Sequence, residues 1–241
     1  MTKYVDSFDT LDMNKWFVTI GRGYMNRYYA EKSKLHFISC YGRFVDDGAV
    51  CFRTASPYSI LNNKFSVEVE LNPYSRGRVY LAYAPSAGKV GVLPLILSDW
   101  EGVTIEKTES GDYALMFYVR GGGIMFWYRR PLEQPKTKYK LSFENKGGKS
   151  RFYVDDVLVS EYSTDVKVAY IYLTVTPSIE HGANRWMVGS FDNFEIENYE
   201  LALTAPELAS MMPTLVSVSQ ATLSLIVPLT IIGLIRGLVG G

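Results

Sequence analysis

The sequence predicts an all-β protein, a two-sheet antiparallel sandwich over residues 1–200, followed by a hydrophobic α-helix over residues 201–241. Three observations carry that expectation. The 241 residues include 18 tyrosines and 12 phenylalanines, side chains that favour pleated, half-buried surfaces over helices. Short runs of alternating polarity follow one another with turn residues between them, the pattern of a sandwich or barrel. Beyond residue 200 the composition changes, and Leu208 to Ile235 carry no charged residue. No repeat or low-complexity linker divides residues 1–200, so they read as one domain.

The clearest strand is Lys64 to Leu71, with Phe65, Val67, Val69 and Leu71 on one face and Ser66, Glu68 and Glu70 on the other. Strands follow at Arg78 to Tyr83, Val90 to Leu97 and Val103 to Lys107, separated by Pro85-Ser86-Ala87-Gly88 and Asp99-Trp100-Glu101-Gly102. Asp112 to Arg120 and Ile124 to Arg130 read as a hairpin around Gly121-Gly122-Gly123, glycines supplying the positive φ of a three-residue connection. Pairing Arg120 with Ile124 sets Met116, Tyr118 and Arg120 on one face with Ile124, Phe126, Tyr128 and Arg130. Leu115, Phe117, Val119, Met125 and Trp127 take the other face, which reads as core. Tyr139 to Asn145, Ser150 to Val154 and Val157 to Tyr162 are joined by Lys146-Gly147-Gly148-Lys149 and Asp155-Asp156, and strands near Val168 to Thr176 and Trp186 to Ile196 complete the set.

Lys plus Arg and Asp plus Glu number 25 each, so no net field draws nucleic acid, which is not expected as a partner. The two cysteines, Cys40 and Cys51, lie either side of Asp46-Asp47-Gly48. A hairpin centred on Asp47-Gly48 would set Phe44, not Cys40, opposite Cys51, which leaves both a disulfide and two buried thiols open. His36 and His181 have no metal-ligand spacing with each other or with the cysteines, so zinc is not indicated. The start, Met1 to Asp6, has no apolar run and reads as lacking a secretory signal.

Three segments bear a family resemblance. Asp6-Ser7-Phe8-Asp9-Thr10-Leu11-Asp12-Met13-Asn14-Lys15-Trp16 resembles the first strand of the concanavalin A-like lectin/glucanase sandwich, a superfamily that includes laminin-G-type modules and laminarinase-type glycoside hydrolases. Tyr139 to Phe143 with Arg151 to Val159 is similar to its penultimate hairpin, and Gly189 to Ile196 to its last strand, which returns beside the first. The resemblance implies a jelly roll of one convex and one concave sheet, with ligands taken on the concave face or its rim. It also implies a possible structural calcium ion held by an acidic residue at Asp192, with Asp6 or Asp9 helping, in the oxygen-rich shell calcium needs. No other cofactor is required.

Some members of that family hydrolyse β-glucans with carboxylates spaced Glu-x-Asp-x-x-Glu along one strand, close enough for a nucleophile and an acid. Glu68-Val69-Glu70 comes nearest, but lacks the third carboxylate and reads as a solvated outer face. For binding, the hairpin face offers Tyr118, Arg120, Tyr128 and Arg130, with Arg78 and Tyr80 beside them and Trp100 as an exposed platform. Aromatic rings stack on sugars and arginines hydrogen-bond hydroxyls. The expectation is therefore a non-enzymatic structural or recognition protein binding glycan or protein, with a membrane-anchored laminarinase-type glycoside hydrolase as the alternative.

The tail supplies the attachment. Thr204-Ala205-Pro206-Glu207 forms a capping box with proline in the first turn. Thr214 to Ile235 would rise about 33 Å as a helix, enough to cross a bilayer. Gly233, Gly237 and Gly241 recur every four residues, and Ser217, Ala221 and Ser224 give a second small face for close helix packing. The partners expected are membrane lipid, copies of the same chain, or both. The setting is a virion, a cell surface or an intracellular tail-anchored site. Replacing Gly233 and Gly237 together by leucine should weaken the oligomer and leave membrane partitioning intact; an unchanged crosslinking ladder would leave anchoring as the tail's whole role.

Overall fold

Sixteen strands make up the secondary structure of the computed structural model over its described residues, which are 3–21, 25–40, 48–85, 99–120, 124–178 and 186–198, with backbone alone for 118–120, 124–128 and 198. The first eight are β1 (Lys3–Asp6), β2 (Trp16–Ile20), β3 (Arg27–Glu31), β4 (Lys34–Cys40), β5 (Val50–Thr54), β6 (Tyr58–Ser59), β7 (Asn63–Leu71) and β8 (Gly77–Ala84). The second eight are β9 (Trp100–Thr108), β10 (Gly111–Arg120), β11 (Ile124–Pro131), β12 (Lys138–Lys146), β13 (Lys149–Val154), β14 (Val157–Ser163), β15 (Val168–Pro177) and β16 (Trp186–Asn198).

They form two antiparallel sheets. Sheet one runs β14-β13-β12-β7-β16-β4-β3 with β1 also on β16, and sheet two runs β11-β10-β9-β8-β15-β5-β2 with β6 also on β15. The two-sheet sandwich expected from the alternation is therefore present. The last strand returns beside the first, Tyr4 facing Ile196 and Asp6 facing Phe194.

Alternation builds the core. Phe65, Val67, Val69 and Leu71 point inward from β7, and sheet two answers with Val79, Leu81, Val103, Ile105, Ile171 and Leu173. The Phe65 and Phe143 rings stack at 4.8 Å and Tyr83 closes on Phe143 at 4.9 Å, joining the sheets. The Tyr83 hydroxyl shares a 2.6 Å hydrogen bond with Ser150, so the one polar atom this ring carries inward is satisfied. At the N-terminal end the Trp16 indole N–H donates to Asp6 (2.9 Å), and its ring meets Phe8 and Phe194 at 5.7 and 5.1 Å.

The glycine-hairpin register is the expected one, Arg120 facing Ile124 and Phe117 facing Trp127. Its faces are not. Ala114 and Met116 point into the core between the sheets, and Leu115 and Phe117 belong to a separate buried cluster on the outer side of sheet two. Both faces of β10 are apolar, so periodicity could not say which one meets the other sheet. The 155–156 turn takes left-handed φ at both positions (51° and 60°), the conformation a two-residue hairpin requires and one that aspartate tolerates.

Cys40 and Cys51 are free thiols and not a disulfide, because Cys51 turns to the outer side of sheet two while Cys40 ends β4 of sheet one. The strand expected at 90–97, the glycine turn at 121–123 and the helix of 201–241 with Ser217, Ala221, Ser224, Gly233, Gly237 and Gly241 lie outside the described residues. Among the described residues no helix is long and apolar enough to cross a membrane.

Gly189 in β16 lies between Leu71 of β7 and Phe37 of β4. A Cβ there would press into the Glu70 carbonyl and the Phe37 ring. Gly189→Ala should cost about 1–3 kcal/mol by overpacking, read as a lower urea midpoint with unchanged slope.

Candidate active site on sheet one

The alternation that buries one side of β7 sends Glu68 and Glu70 to the outer face of sheet one. Across the ladder Glu68 stands opposite Asp192 and Glu70 opposite Ser190 of β16. The other edge of β7 brings Lys140 opposite Glu68 and Lys138 opposite Glu70. These side chains, with Lys34, Lys136, Tyr139 and Asp155, line a depression of about 280 Å³.

Its carboxylates are not equivalent. Lys34 donates to Glu70 at 2.6 Å and Lys138 lies at 3.8 Å; the hydrogen bond from Lys34 holds the Glu70 carboxyl below the usual carboxylate range. Asp155 pairs with Lys136 at 2.7 Å and accepts from the Lys140 amide. Among the described residues neither Glu68 nor Asp192 has an ion-pair partner, although Asp192 accepts a hydrogen bond from the Asn193 amide. Directly opposed side chains on one face of an antiparallel pair stand about 5 Å apart, so Glu68 and Asp192 form a pair of adjacent, unpaired carboxylates.

Asp192 does not join Asp9, which lines a different depression. Asp9 accepts from Ser7 at 2.8 Å and from Ser33, whose hydroxyls hold its carboxyl below the usual range. It thereby fastens the β3–β4 turn, where Lys32 and Ser33 both take left-handed φ. Among the described residues no group of three or more His, Cys, Asp or Glu could hold a metal ion.

The predicted binding residues separate. Arg78 and Tyr80 of β8 face Glu106 and Thr104 of β9, which in turn face Tyr113 and Leu115. They lie on the outer face of sheet two, on the side opposite Arg130, which stands across from the core residue Ala114. The side chains of Tyr118, Arg120 and Tyr128 lie outside the described residues; Arg130 is exposed and reaches the Leu158 carbonyl at 3.4 Å. Trp100 is no exposed platform. It opens β9, is 2 % exposed, and packs against Tyr80 and Phe117 at 6.1 and 5.6 Å.

Along β9 the outward positions are Trp100, Gly102, Thr104 and Glu106, a single carboxylate. Arg78 grips Glu106 at 2.6 Å and Arg129 stands at 3.5 Å. Glu101 and Glu106 have the spacing of the outer carboxylates in Glu-x-Asp-x-x-Glu, which the sequence reading passed over. Because β9 runs without a bulge between them, the odd spacing sends Glu101 inward instead, to the hydroxyls of Tyr162 and Thr164. The pairing of Glu68 with Asp192 was also missed, because 124 residues separate them and only the register brings them together.

No family model and no curated protein matches this chain. Solved structures do. One, from work on endo-acting O-glycanases of the human gut microbiota, aligns over 82 % of this chain and 99 % of its own at 12 % identity, TM-score 0.61. The Bacillus licheniformis β-glucanase aligns over 81 % and 98 % at 10 % identity, TM-score 0.58. A Mycobacterium tuberculosis protein described as an immunostimulatory antigen and pseudo β-1,3-glucanase aligns over 82 % and 98 % at 9 % identity, TM-score 0.58. At such identity the shared property is the fold, the concanavalin A-like sandwich of glucanases. The expectation of a non-enzymatic structural protein is corrected on this finding, since the solved structures that share this fold include a β-glucanase and one from work on O-glycanases.

Away from the carboxylates, Cys51 is buried on sheet two and accepts from the Thr174 hydroxyl at 3.2 Å; burial pushes its thiol up to about 12. A raised folded value favours the protonated thiol in the native chain, so its stabilisation is full below the unfolded value and is lost as pH rises toward 12. Iodoacetamide at pH 8 should label Cys51 only on unfolding. The alkaline fall in urea midpoint should be shallower in Cys51→Ala than in the parent.

Proposed function

We propose that this chain is a glycoside hydrolase whose working carboxylates are Glu68 and Asp192. The observation that carries the reading is the adjacency of two carboxylates without ion-pair partners, in one depression of a sandwich shared with glucanases. A retaining glycosidase needs two carboxyl groups about 5 Å apart, and directly opposed residues, whose Cβ atoms stand about 5 Å apart, can bring a glutamate and an aspartate within that range. One attacks the anomeric carbon while the other protonates the departing glycosidic oxygen, and water then releases the glycosyl group with the proton returned.

Glu70 is unsuited to the proton-donating part, because Lys34 keeps it ionised. Its part is to hold Lys34, whose ammonium also lies within electrostatic reach of Asp192 and Glu68. Glu106 on sheet two is a poorer candidate, being a lone carboxylate between two arginines. Membrane or self-attachment through residues 201–241 belongs to the same proposal, on the strength of the uncharged 208–235 run.

A panel of β-glucans and mucin-type O-glycans, assayed for new reducing ends, tests the reading. Glu68→Gln and Asp192→Asn should each lower hydrolysis by about two to four orders of magnitude, with the urea midpoint kept. Glu106→Gln should leave the rate nearly unchanged. Hydrolysis that survives Glu68→Gln but falls with Glu106→Gln would move the chemistry to sheet two, and a parent inert on the whole panel would end the hydrolase reading.

A further inference from the structure

Level with Glu70, the outer face of sheet one carries a second feature that the carboxylate chemistry does not use. Register places Tyr29 of β3 opposite His36 of β4, His36 opposite Ser190 of β16, and Ser190 opposite Glu70 of β7. The four form one row across four strands. Tyr29 and His36 stack nearly parallel, centroids 4.7 Å apart and planes at 12°. Tyr29 nevertheless keeps 46 % of its surface exposed. Between this pair and Glu70 stands only Ser190, which is short and 4 % exposed. The row is therefore high and aromatic at one end, low in the middle and acidic at the other.

We infer that Tyr29, braced by His36, is a stacking subsite for a pyranose ring of a glycan chain that crosses the strands of sheet one toward Glu68, Glu70 and Asp192. The inference rests on the hydrolase reading for the direction of the chain, but not for the stacking itself. Strands are spaced about 4.8 Å apart, so the step from His36 to Glu70 is about 10 Å and that from Tyr29 about 15 Å. That reach suits an oligosaccharide and exceeds a single ring. A sugar's C–H face packs on an exposed aromatic ring, and a ring already held by a neighbour loses little freedom when it is covered. Ser190, short and buried, leaves a low floor between the rings and Glu70. The Lys34–Glu70 pair, at 2.6 Å, supplies donors and acceptors at the far end. The exposed end of the row lies on β3, the terminal strand of sheet one among the described residues.

The test is calorimetric binding of laminaritetraose to the full chain carrying Glu68→Gln, which removes turnover, with and without a second change at Tyr29. Tyr29→Ala should weaken binding about five- to tenfold, the size of one lost stacking contact. Tyr29→Phe should restore it, because the ring and not the hydroxyl does the stacking. In the parent with Glu68 intact, Tyr29→Ala should raise KM for tetrasaccharide more than for disaccharide and leave kcat near its parent value. Equal affinity with tyrosine and alanine at position 29 would overturn the subsite, and so would an absence of laminaritetraose binding to the parent. If Glu68→Gln leaves hydrolysis intact while Tyr29→Ala still weakens binding, the hydrolase assignment fails and the subsite stands.

Discussion

The fold depends on placing its last two strands in the middle of both sheets. β15 lies between β8 and β5 in sheet two, and β16 lies between β7 on one side and β4 and β1 on the other in sheet one. Neither sheet is continuous until residues 168–198 have been inserted, so the earlier strands wait with open edges for partners 86 to 194 residues away. Such non-local pairing carries its chain-closure entropy before its contacts form. The insertion is specified by side chains that fit only one register. Phe191 meets Phe37 at 4.9 Å and Phe52 at 6.1 Å, Phe194 meets Trp16, and Gly189 leaves room for Phe37 and Leu71 to close over the strand. A bulge between Asp192 and Glu195, with Asn193 at φ 47°, changes the neighbour of β16 from β4 to β1. Bulges bend the strand that carries them, and this one falls directly after the carboxylate that faces Glu68.

The outer faces of the two sheets have opposite characters. On sheet two the outward side chains of β5, β8, β9, β10 and β15 include a buried apolar cluster of Cys51, Tyr80, Ala82, Ala84, Trp100, Leu115, Phe117 and Tyr172. Its charged members are held tightly: Glu106 by Arg78, and Arg129 over the Tyr113 ring at 3.6 Å. On sheet one the outward residues are charged and hydrated, and lysine rows alternate with carboxylates. Lys149 and Arg151 meet Glu161, Lys3 meets Glu195, and Lys34 meets Glu70. Exposed pairs of this kind add little to stability, but they set which carboxylates remain unpaired. Among the described carboxylates of β7 and β16, Glu68, Asp192 and Glu197 carry no such ion pair, and of these Glu68 and Asp192 stand directly opposite each other.

Much of the architecture was legible because alternation is a local signal. Phe65 to Leu71 announced their inward face, the Arg120–Ile124 register followed from the glycine turn, and Asp6 with Trp16 marked the first strand by residues that do bond to each other. What was not legible needed information from distant chain. Trp100 reads as a loop residue beside Asp99 and Gly102, yet β8 and β10 capture it as the first residue of a central strand. Leu115 and Met116 are both apolar, so the sequence could not say which faced the other sheet; Ile105 and Val79 decide it by packing. The neighbourhood of Asp192 is likewise set by distant chain, since only the register of β16 on β7 brings it opposite Glu68.

The same limit applies to function. A two-sheet sandwich of this kind supports several activities, because the fold supplies surfaces and the side chains on them supply chemistry. Shared architecture with β-glucanases raises the expectation of hydrolysis without saying where it occurs, and this chain departs from the Glu-x-Asp-x-x-Glu pattern on β9, where a glycine and a threonine occupy outward positions beside one arginine-bound glutamate. Two carboxyl groups on one face are the minimum for glycoside cleavage. Sheet two offers one of them among its described residues. Sheet one offers Glu68 and Asp192 together, beside the Glu70 end of a row that begins with an exposed aromatic ring, so the requirement for two carboxylates keeps the proposed chemistry on sheet one.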